Sequence, residues 1–537
     1  MNRRLGWAAA YAVPTAFFGL FFAWPLLAIL GRGLADGNPV GPLLEARIAR
    51  IAWFTAWQAA VSTALTLVVG LGGAWTLARF RIPGRRLIRA LMTVPFVLPT
   101  VVVATAFVGV LGRGGPLGSL GLHPSVVAVI AAHVFFNYAV VIRTVGGVFD
   151  TLDPRAEDAA RVLGATRLQA AREVTLPALR PALLAAASIV FLFTFTSFGV
   201  VLILGGPTRA TIEVEIWRQT AQLLDLRTAA SLSLLQLAAV VGSLVVHRRL
   251  QPSTTTAARI AGASEVARPV RTSGERLFVA ANLGFACLLL GAPMTLLAVR
   301  SVSAPDGFGL LFYRSLTENR RGSVLFVAPA EALTNSLAFA VMTVVGALAI
   351  GGIAALLVVH RRGVASAALD SLLMLPLGTS AVTLGFGFLI ALDRRPLDLR
   401  GSVVLIPIAH TLVAIPFVVR TLVPAMQSVP PRLREAAAVL GASPRRVTWE
   451  VDAPVVSRAG LVGAGLAFAV SLGEFGATIF IARPDRPTLP IVIFRLLGQP
   501  GALNVGQAMA MSTILMVVTA SSVLLIERFR AGAVGSF

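Results

Sequence analysis

The chain has 537 residues, 56% of them hydrophobic and only 13% charged, with a mean hydropathy of +0.83. Length alone would suggest several soluble domains, but apolar runs of about 20 residues recur from end to end, each long enough to cross a bilayer as a helix, so the composition points to an all-α polytopic membrane protein. The formal charge is +22 and every basic residue besides His is Arg. These arginines cluster at the ends of apolar runs, the pattern of positive-inside topology rather than of a nucleic-acid surface.

The first apolar run, about residues 7–30, follows Asn2-Arg3-Arg4. It is long, contains Pro14 and Pro25 and lacks a cleavage site, so it reads as a retained span with its N-terminus in the cytoplasm. A short external segment (31–50) leads to a second run at about 51–77, then to a basic turn, Arg79 to Arg86, that reads as cytoplasmic. Spans three and four are expected at about 90–111 and 125–148, span five at 181–204 and span six at 228–246. The stretch 205–226, with Arg209, Glu213, Glu215, Trp217 and Arg218, reads as external.

Between residues 248 and 276 the chain turns polar and unpatterned, rich in Ser, Thr, Pro and Arg, which marks a linker. Six further runs follow at about 277–299, 331–359, 365–392, 401–423, 459–482 and 506–526, and His360-Arg361-Arg362 is again a basic turn after a second span. Twelve spans with both termini inside place every strongly basic short turn on one side. The lone Cys287 lies in an apolar run, which excludes an internal disulfide and argues against a metal cluster.

Two polar stretches interrupt this pattern. The first is LDPRAEDAARVLGATRLQAAREVTLP at 152–177 and the second is VPPRLREAAAVLGASPRRVTWEVDAP at 429–454. Gly164 and Gly441 are 277 apart (441 − 164), as are Pro177 and Pro454. The same offset takes Pro99 to Pro376, His133 to His410, Arg143 to Arg420, Phe198-Gly199 to Phe475-Gly476, and Arg218 to Arg495. Corresponding loops fall on the same side, so 1–247 and 277–537 read as parallel repeats about an axis along the membrane normal. Within the first stretch Asp153-Pro154 is an N-cap followed by Pro at the first helical position, where a missing N–H costs nothing. Gly164 suits a left-handed helix end, and Thr166 suits the cap of a second short helix that stops near Pro177. Ser443-Pro444 repeats that cap.

These residues resemble the loop signature of permeases of bacterial ATP-binding-cassette importers, E-A-A-x3-G-x9-I-x-L-P. Here it stands as Asp158-Ala159-Ala160, Gly164 and Leu176-Pro177, then as Glu435-Ala436-Ala437, Gly441 and Ala453-Pro454. Asp158 replaces the usual Glu and Ala453 the usual Leu. The resemblance implies two tandem six-helix repeats of the type I importer fold in the bacterial inner membrane. It implies that both loops are coupling helices gripped by a cassette ATPase homodimer, and that a solute-binding protein delivers cargo from outside. ATP belongs to that partner: the chain has no Lys for a phosphate-binding Walker loop and holds no cofactor of its own. Nothing reads as an enzyme.

Fused twelve-span permeases of this kind resemble those of thiamine and ferric-iron importers. The stretches Thr196 to Gly199, Thr211 to Ile216 and Ser471 to Gly476 look closest to thiamine permeases, and Gly-Glu-Phe-Gly also resembles sulfate and molybdate permeases. Glu474 in an apolar run is a candidate for the solute path, with Phe198, Phe475 and Trp217 as ring faces for a cation. Its alternative role is to pair with an Arg or to cap a broken helix. His133 and His410 read as helix-bonding or solute-contacting residues, and Arg143 and Arg420 as anchors of the fourth spans. The rival class, a major-facilitator-type transporter, would place its basic motif after the second span of each half, whereas the large element here follows the fourth.

Overall fold

A computed structural model of the chain describes residues 2–34, 41–250, 267–304, 307–319, 325–360, 363–393 and 397–531. Ten helices among them are long and apolar enough to cross a membrane, or up to twelve if each of two bent helix pairs makes one span. The protein is an all-α, multi-pass membrane protein; among the described residues its only paired strands are β1 (Ser303–Ala304) and β2 (Gly307–Phe308).

In the first half, α1 (Asn2–Phe18) runs through a π turn into α2 (Trp24–Leu34), and α3 (Ala46–Arg79) follows. The expected third span is two helices, α4 (Arg85–Val97) and α5 (Thr100–Leu111), bent by 99°. Pro99 explains the break: its ring disfavours helical backbone at Leu98, which is extended at φ −66 and ψ 143. Next come α6 (Val126–Thr151), α7 (Pro154–Val162), α8 (Arg167–Ala170), α9 (Leu176–Phe195), α10 (Gly199–Leu204), α11 (Ile212–Ala221) and α12 (Leu226–Leu250).

The second half repeats the order with α13 (Ser273–Ser301), the short α14 (Leu311–Arg314), α15 (Glu331–His360), α16 (Val364–Met374), α17 (Ala381–Ala391) and α18 (Leu405–Ser428). The loop helices α19 (Pro431–Val439) and α20 (Pro444–Val447) lead to α21 (Ala453–Gly473), α22 (Thr478–Ile481), α23 (Leu489–Leu497) and α24 (Ala502–Ala531). The α16–α17 pair bends by 101°, but at Thr379-Ser380 rather than at Pro376, where the chain makes a 3-10 turn. Here Ser380 caps α17 by accepting from Thr383 N, so the 277-residue register loosens at this corner.

Four expectations need correction. Both third spans are sharply broken rather than straight. The fifth spans end early, at Phe195 and Gly473, and continue as the separate helices α10 and α22. The stretch read as external, 205–226, contains α11, whose Glu213 and Glu215 are buried at 1% and 0% exposure. The linker is also shorter than expected at both ends: α12 extends to Leu250, and Arg268 pairs with the turn after α3. Arg81 N donates to Arg268 O (2.9 Å), Arg268 N donates to Arg79 O (3.0 Å), and the Arg268 guanidinium lies 5.2 Å over the Phe80 ring. Residues 251–266 of the linker, and Arg361 and Arg362 of the second basic turn, lie outside the described residues.

Packing centres on the fourth span of each half. Of the apolar windows, 67% is buried in both Val126–Thr151 and Leu405–Ser428, against 22% in Arg167–Phe195, so α6 and α18 are core helices and the fifth span is largely left to lipid. In each half the second, fourth and fifth spans pack together, α3 with α6 and α9, and α15 with α18 and α21. The first spans cross over: α1 and α2 pack on α15 and α17, and α13 packs on α5 and α3. Small residues permit the closest contacts. A Cβ on Gly73 would stand 2.0 Å from Tyr138 Oη, whereas one on Gly242 would meet open space. Gly73→Val is therefore expected to destabilise by about 2–3 kcal/mol through overpacking. Gly242→Ala is expected to leave the melting temperature in detergent unchanged or slightly raised. Equal melting of the two variants would contradict the packing assigned to Gly73.

Candidate functional site

The two loops are built alike. Helices α7 and α8 and a π turn at Ala171–Thr175 recur as α19, α20 and a π turn at Thr448–Asp452, with each boundary 277 residues on. Asp153 Oδ1 accepts from Arg155 N (2.9 Å), Thr166 forms a capping box with Gln169, and Ser443 Oγ accepts from Arg446 N (3.4 Å). Gly164 (φ 95°) and Gly441 (φ 83°) both take the left-handed backbone that ends the first helix. The second helix does not stop near Pro177 as expected. The π turn carries it into α9, and Pro177 sits in the first turn of that helix, where its missing N–H is tolerated. Pro454 does the same in α21.

The loop surfaces match as well. Asp158, Ala159, Gly164 and Pro177 are exposed, as are Glu435, Ala436, Gly441 and Pro454, while Ala160 and Ala437 are half-buried. Val162 and Leu163 are 86% and 88% exposed, and Val439 and Leu440 are both 87% exposed. Four large apolar side chains held in the open at equivalent places are what a docking surface presents. Each loop is braced by an ion-bearing contact, but with different residues. Glu157 Oε2 accepts from Arg79 (3.1 Å) and from Thr175 Oγ1 (3.3 Å), whereas Arg434 Nε donates to Asp452 (2.7 Å). Arg85 and Arg89 both bind Asp150 at the end of α6, holding α4 to the helix that leads into the loop.

A cavity of about 450 Å³ lies between the halves. It is lined around the breaks of both fifth spans, by Ser197-Phe198-Gly199 and Glu474-Phe475-Gly476, and by Glu213, His133, Asn137 and Ser380. Phe198 stacks on Phe475 with centroids 5.4 Å apart and planes at 28°. Phe475 in turn meets Phe494 at 5.5 Å, and Trp217 meets Phe494 edge-on at 6.0 Å. Phe198 and Phe475 occupy equivalent positions, as do Trp217 and Phe494, so the ring cluster is two pairs meeting at the interface. Gly199 is required there: a Cβ would stand 2.7 Å from Thr100 Oγ1 and 3.3 Å from the Phe475 ring.

Each histidine ties its fourth span to the adjacent break. His133 Nδ1 bonds Ser62 Oγ (3.2 Å) and Nε2 bonds Ser197 Oγ (2.8 Å); His410 Nδ1 bonds Ser471 Oγ and Nε2 bonds Thr478 Oγ1, both at 2.8 Å. Both ring nitrogens of each histidine are thus engaged by neighbouring helices. Glu474 caps the second break: Oε1 accepts from Ala477 N (2.8 Å), and Oε2 accepts from Thr478 N (3.0 Å) and from the Thr478 hydroxyl. The structure therefore brings Phe198, Glu474 and Phe475 to the cavity. It does not bring Trp217 there, because α11 folds back and sets that ring behind Phe494.

Glu213 was overlooked as a site residue because it lies in a stretch with the charge of an exposed loop. The signal available was its setting, with Ile212, Val214 and Ile216 alternating with the two acids. Asn137 and Ser380 carry no sequence signal of this kind.

The chain thus presents twin exposed loops on a duplicated helical bundle with a cavity between the halves, and its sequence is similar to importer permeases of the ATP-binding-cassette class. Residues 67–256 match the family of binding-protein-dependent transport system inner membrane components. The chain is 26% identical to the thiamine transport system permease protein of Brucella abortus, covering 97% of this chain and 95% of that one. It is 27% identical to the protein of the same name from Escherichia coli, covering 84% of each. A shorter stretch, 30% of this chain and 60% of the relative, is 37% identical to the sulfate transport system permease protein of Salmonella typhimurium.

Removing the Glu474 cap has a measurable consequence. Glu474→Ala leaves Ala477 N and Thr478 N without acceptors and is expected to cost about 2–3 kcal/mol, read as a lower melting temperature in detergent. Glu474→Gln keeps one acceptor oxygen and is expected to lose less. An unshifted melt for the alanine variant would show that the cap contributes nothing.

Proposed function

We propose that this chain is the membrane subunit of a thiamine importer, built from two permease repeats, 1–247 and 277–537. A separate ATPase homodimer grips loops 152–177 and 429–454, and a solute-binding protein delivers the vitamin from the opposite side. In this reading both termini and both loops are cytoplasmic, and ATP is bound by the partner alone. The observation that carries it is the pair of loops with bare apolar tips, Val162-Leu163 and Val439-Leu440, repeated residue for residue at one offset. Two equivalent handles suit a motor with two equivalent grips.

Closure of the motor would draw the handles together. The halves would then rock as bodies about the cavity, which opens to alternate sides. The braces Glu157–Arg79 and Arg434–Asp452 make the handles rigid enough to transmit that motion. Similarity along 97% of the chain to a thiamine permease supports the cargo. So does the cavity: thiamine is a planar cation, and the cavity offers the rings of Phe198 and Phe475 and two carboxylates, with no arginine among the described residues of its lining. The same lining disfavours a sulfate dianion despite the local resemblance to a sulfate permease.

Leu163→Asp combined with Leu440→Asp is expected to abolish co-purification of the ATPase and thiamine uptake while the chain still inserts. Either substitution alone is expected to weaken both. Retention of the ATPase by the double variant would overturn the docking assignment, and a wild-type complex that imports no thiamine would overturn the cargo.

A further inference from the structure

We infer that Glu213 and Asn137, rather than Glu474, select the solute, and that the solute they select is an organic cation carrying N–H donors. The inference deepens the reading of the cavity as the solute path and rests on it.

The argument is one of spare hydrogen-bonding capacity. A carboxylate accepts about four hydrogen bonds, two at each oxygen. Those of Glu474 are largely taken by Ala477 N, Thr478 N and the Thr478 hydroxyl, with His410 Nε2 3.4 Å from Oε2. Glu213 has one bond at each oxygen: Gln236 Nε2 donates to Oε1 (2.9 Å) and Ser380 Oγ donates to Oε2 (2.6 Å). It is 1% exposed, and no basic side chain among the described residues pairs with it. A carboxyl group in a dry site without a countercharge favours its neutral form, because two neutral donors offset only part of the cost of ionising it, and an arriving cation would supply the charge that stabilises the carboxylate. The cavity wall thus lacks a positive charge at Glu213.

Asn137 makes the same demand independently. Its Nδ2 donates to His133 O (3.0 Å), which sets the orientation of the amide and leaves Oδ1 without a donor although the residue is 1% exposed. A buried acceptor left unpaired is unfavourable until something donates to it. Both unspent groups on the wall are acceptors. Phe96, Phe136 and Phe193 line the same cavity, with Phe96 5.7 Å from each of the other two rings, and give a flat cation an apolar face. The two acceptors are also one-sided. At the positions 277 residues after Asn137 and Glu213 the second half has Ala414 and Pro490, so these two acceptors have no counterpart across the pseudo-symmetric cavity. A solute with one charged end would be held in one orientation.

The test uses the chain with its ATPase and binding protein in liposomes, and the chain alone in detergent. In liposomes Glu213→Gln, at parental assembly with the ATPase, is expected to reduce thiamine uptake by about tenfold or more, the loss of one charge-assisted bond, and Glu213→Asp to recover part of it. Asn137→Leu is expected to give a smaller loss. Parental uptake by Glu213→Gln overturns the inference and leaves the thiamine reading standing. In detergent a lipid-soluble carbodiimide is used to label carboxyl groups, read by mass spectrometry, with thiamine, agmatine and putrescine, all cations with N–H donors, added singly. Labelling of Glu213 is expected to fall with at least one of these cations and not with sulfate, while Glu474 labels weakly throughout. If the wild type imports no thiamine, the cargo reading falls and this protection decides the inference by itself. Labelling of Glu213 unmoved by all three cations overturns it whatever the uptake.

Discussion

Wherever a membrane helix breaks, the backbone groups it frees have to be satisfied inside the protein, because the surrounding hydrocarbon offers no partner. The fifth spans of this chain break at Thr196 to Phe198 and at Glu474 to Gly476, and the central site consists largely of what repairs those breaks. His133 and His410 reach the breaks from the fourth spans, and Glu474 spends its carboxylate on Ala477 and Thr478. A cavity follows from the same geometry, since a broken helix leaves space that side chains only partly fill. Of the polar groups that make the repair, His133 and Glu474 also line that space.

The halves keep a common plan and divide the chemistry between them. Backbone boundaries of the loop helices repeat without slippage, yet Glu157 is answered by Arg434, Ser197 by Glu474, Glu213 by Pro490 and Asn137 by Ala414. In the loops, opposite charges achieve one end: each braces the short helix against the turn that follows it. In the cavity the differences do not cancel. One half supplies the capped carboxylate and the other supplies the uncapped one, so a nearly twofold frame encloses a wall whose two sides carry different polar groups.

Legibility in the sequence varied with the locality of the forces involved. The loops were readable because caps, glycine ends and N1 prolines act within a few residues: Asp153, Gly164 and Thr166 behave as their types dictate. The course after the second short helix was misjudged, because a Pro that usually marks an end here opens the next helix behind a π turn. Trp217 was misplaced and Glu213 overlooked for one reason. Their segment has the charge of an exposed loop, and only the packing of α11 against α12 and α17 shows that it folds inward.

By itself the sequence determined that the chain lives in a membrane, that it is duplicated with an offset of 277, and that each half carries a helix–glycine–helix loop. Those properties reside in runs of apolar residues and in local backbone preferences, which need no distant partner. Only the tertiary structure decided where the first spans lie, how sharply the third spans bend, and which carboxylate retains unspent acceptors. Such outcomes depend on which side chains from remote segments arrive at the same few ångströms, and hydropathy along a chain holds no record of that meeting.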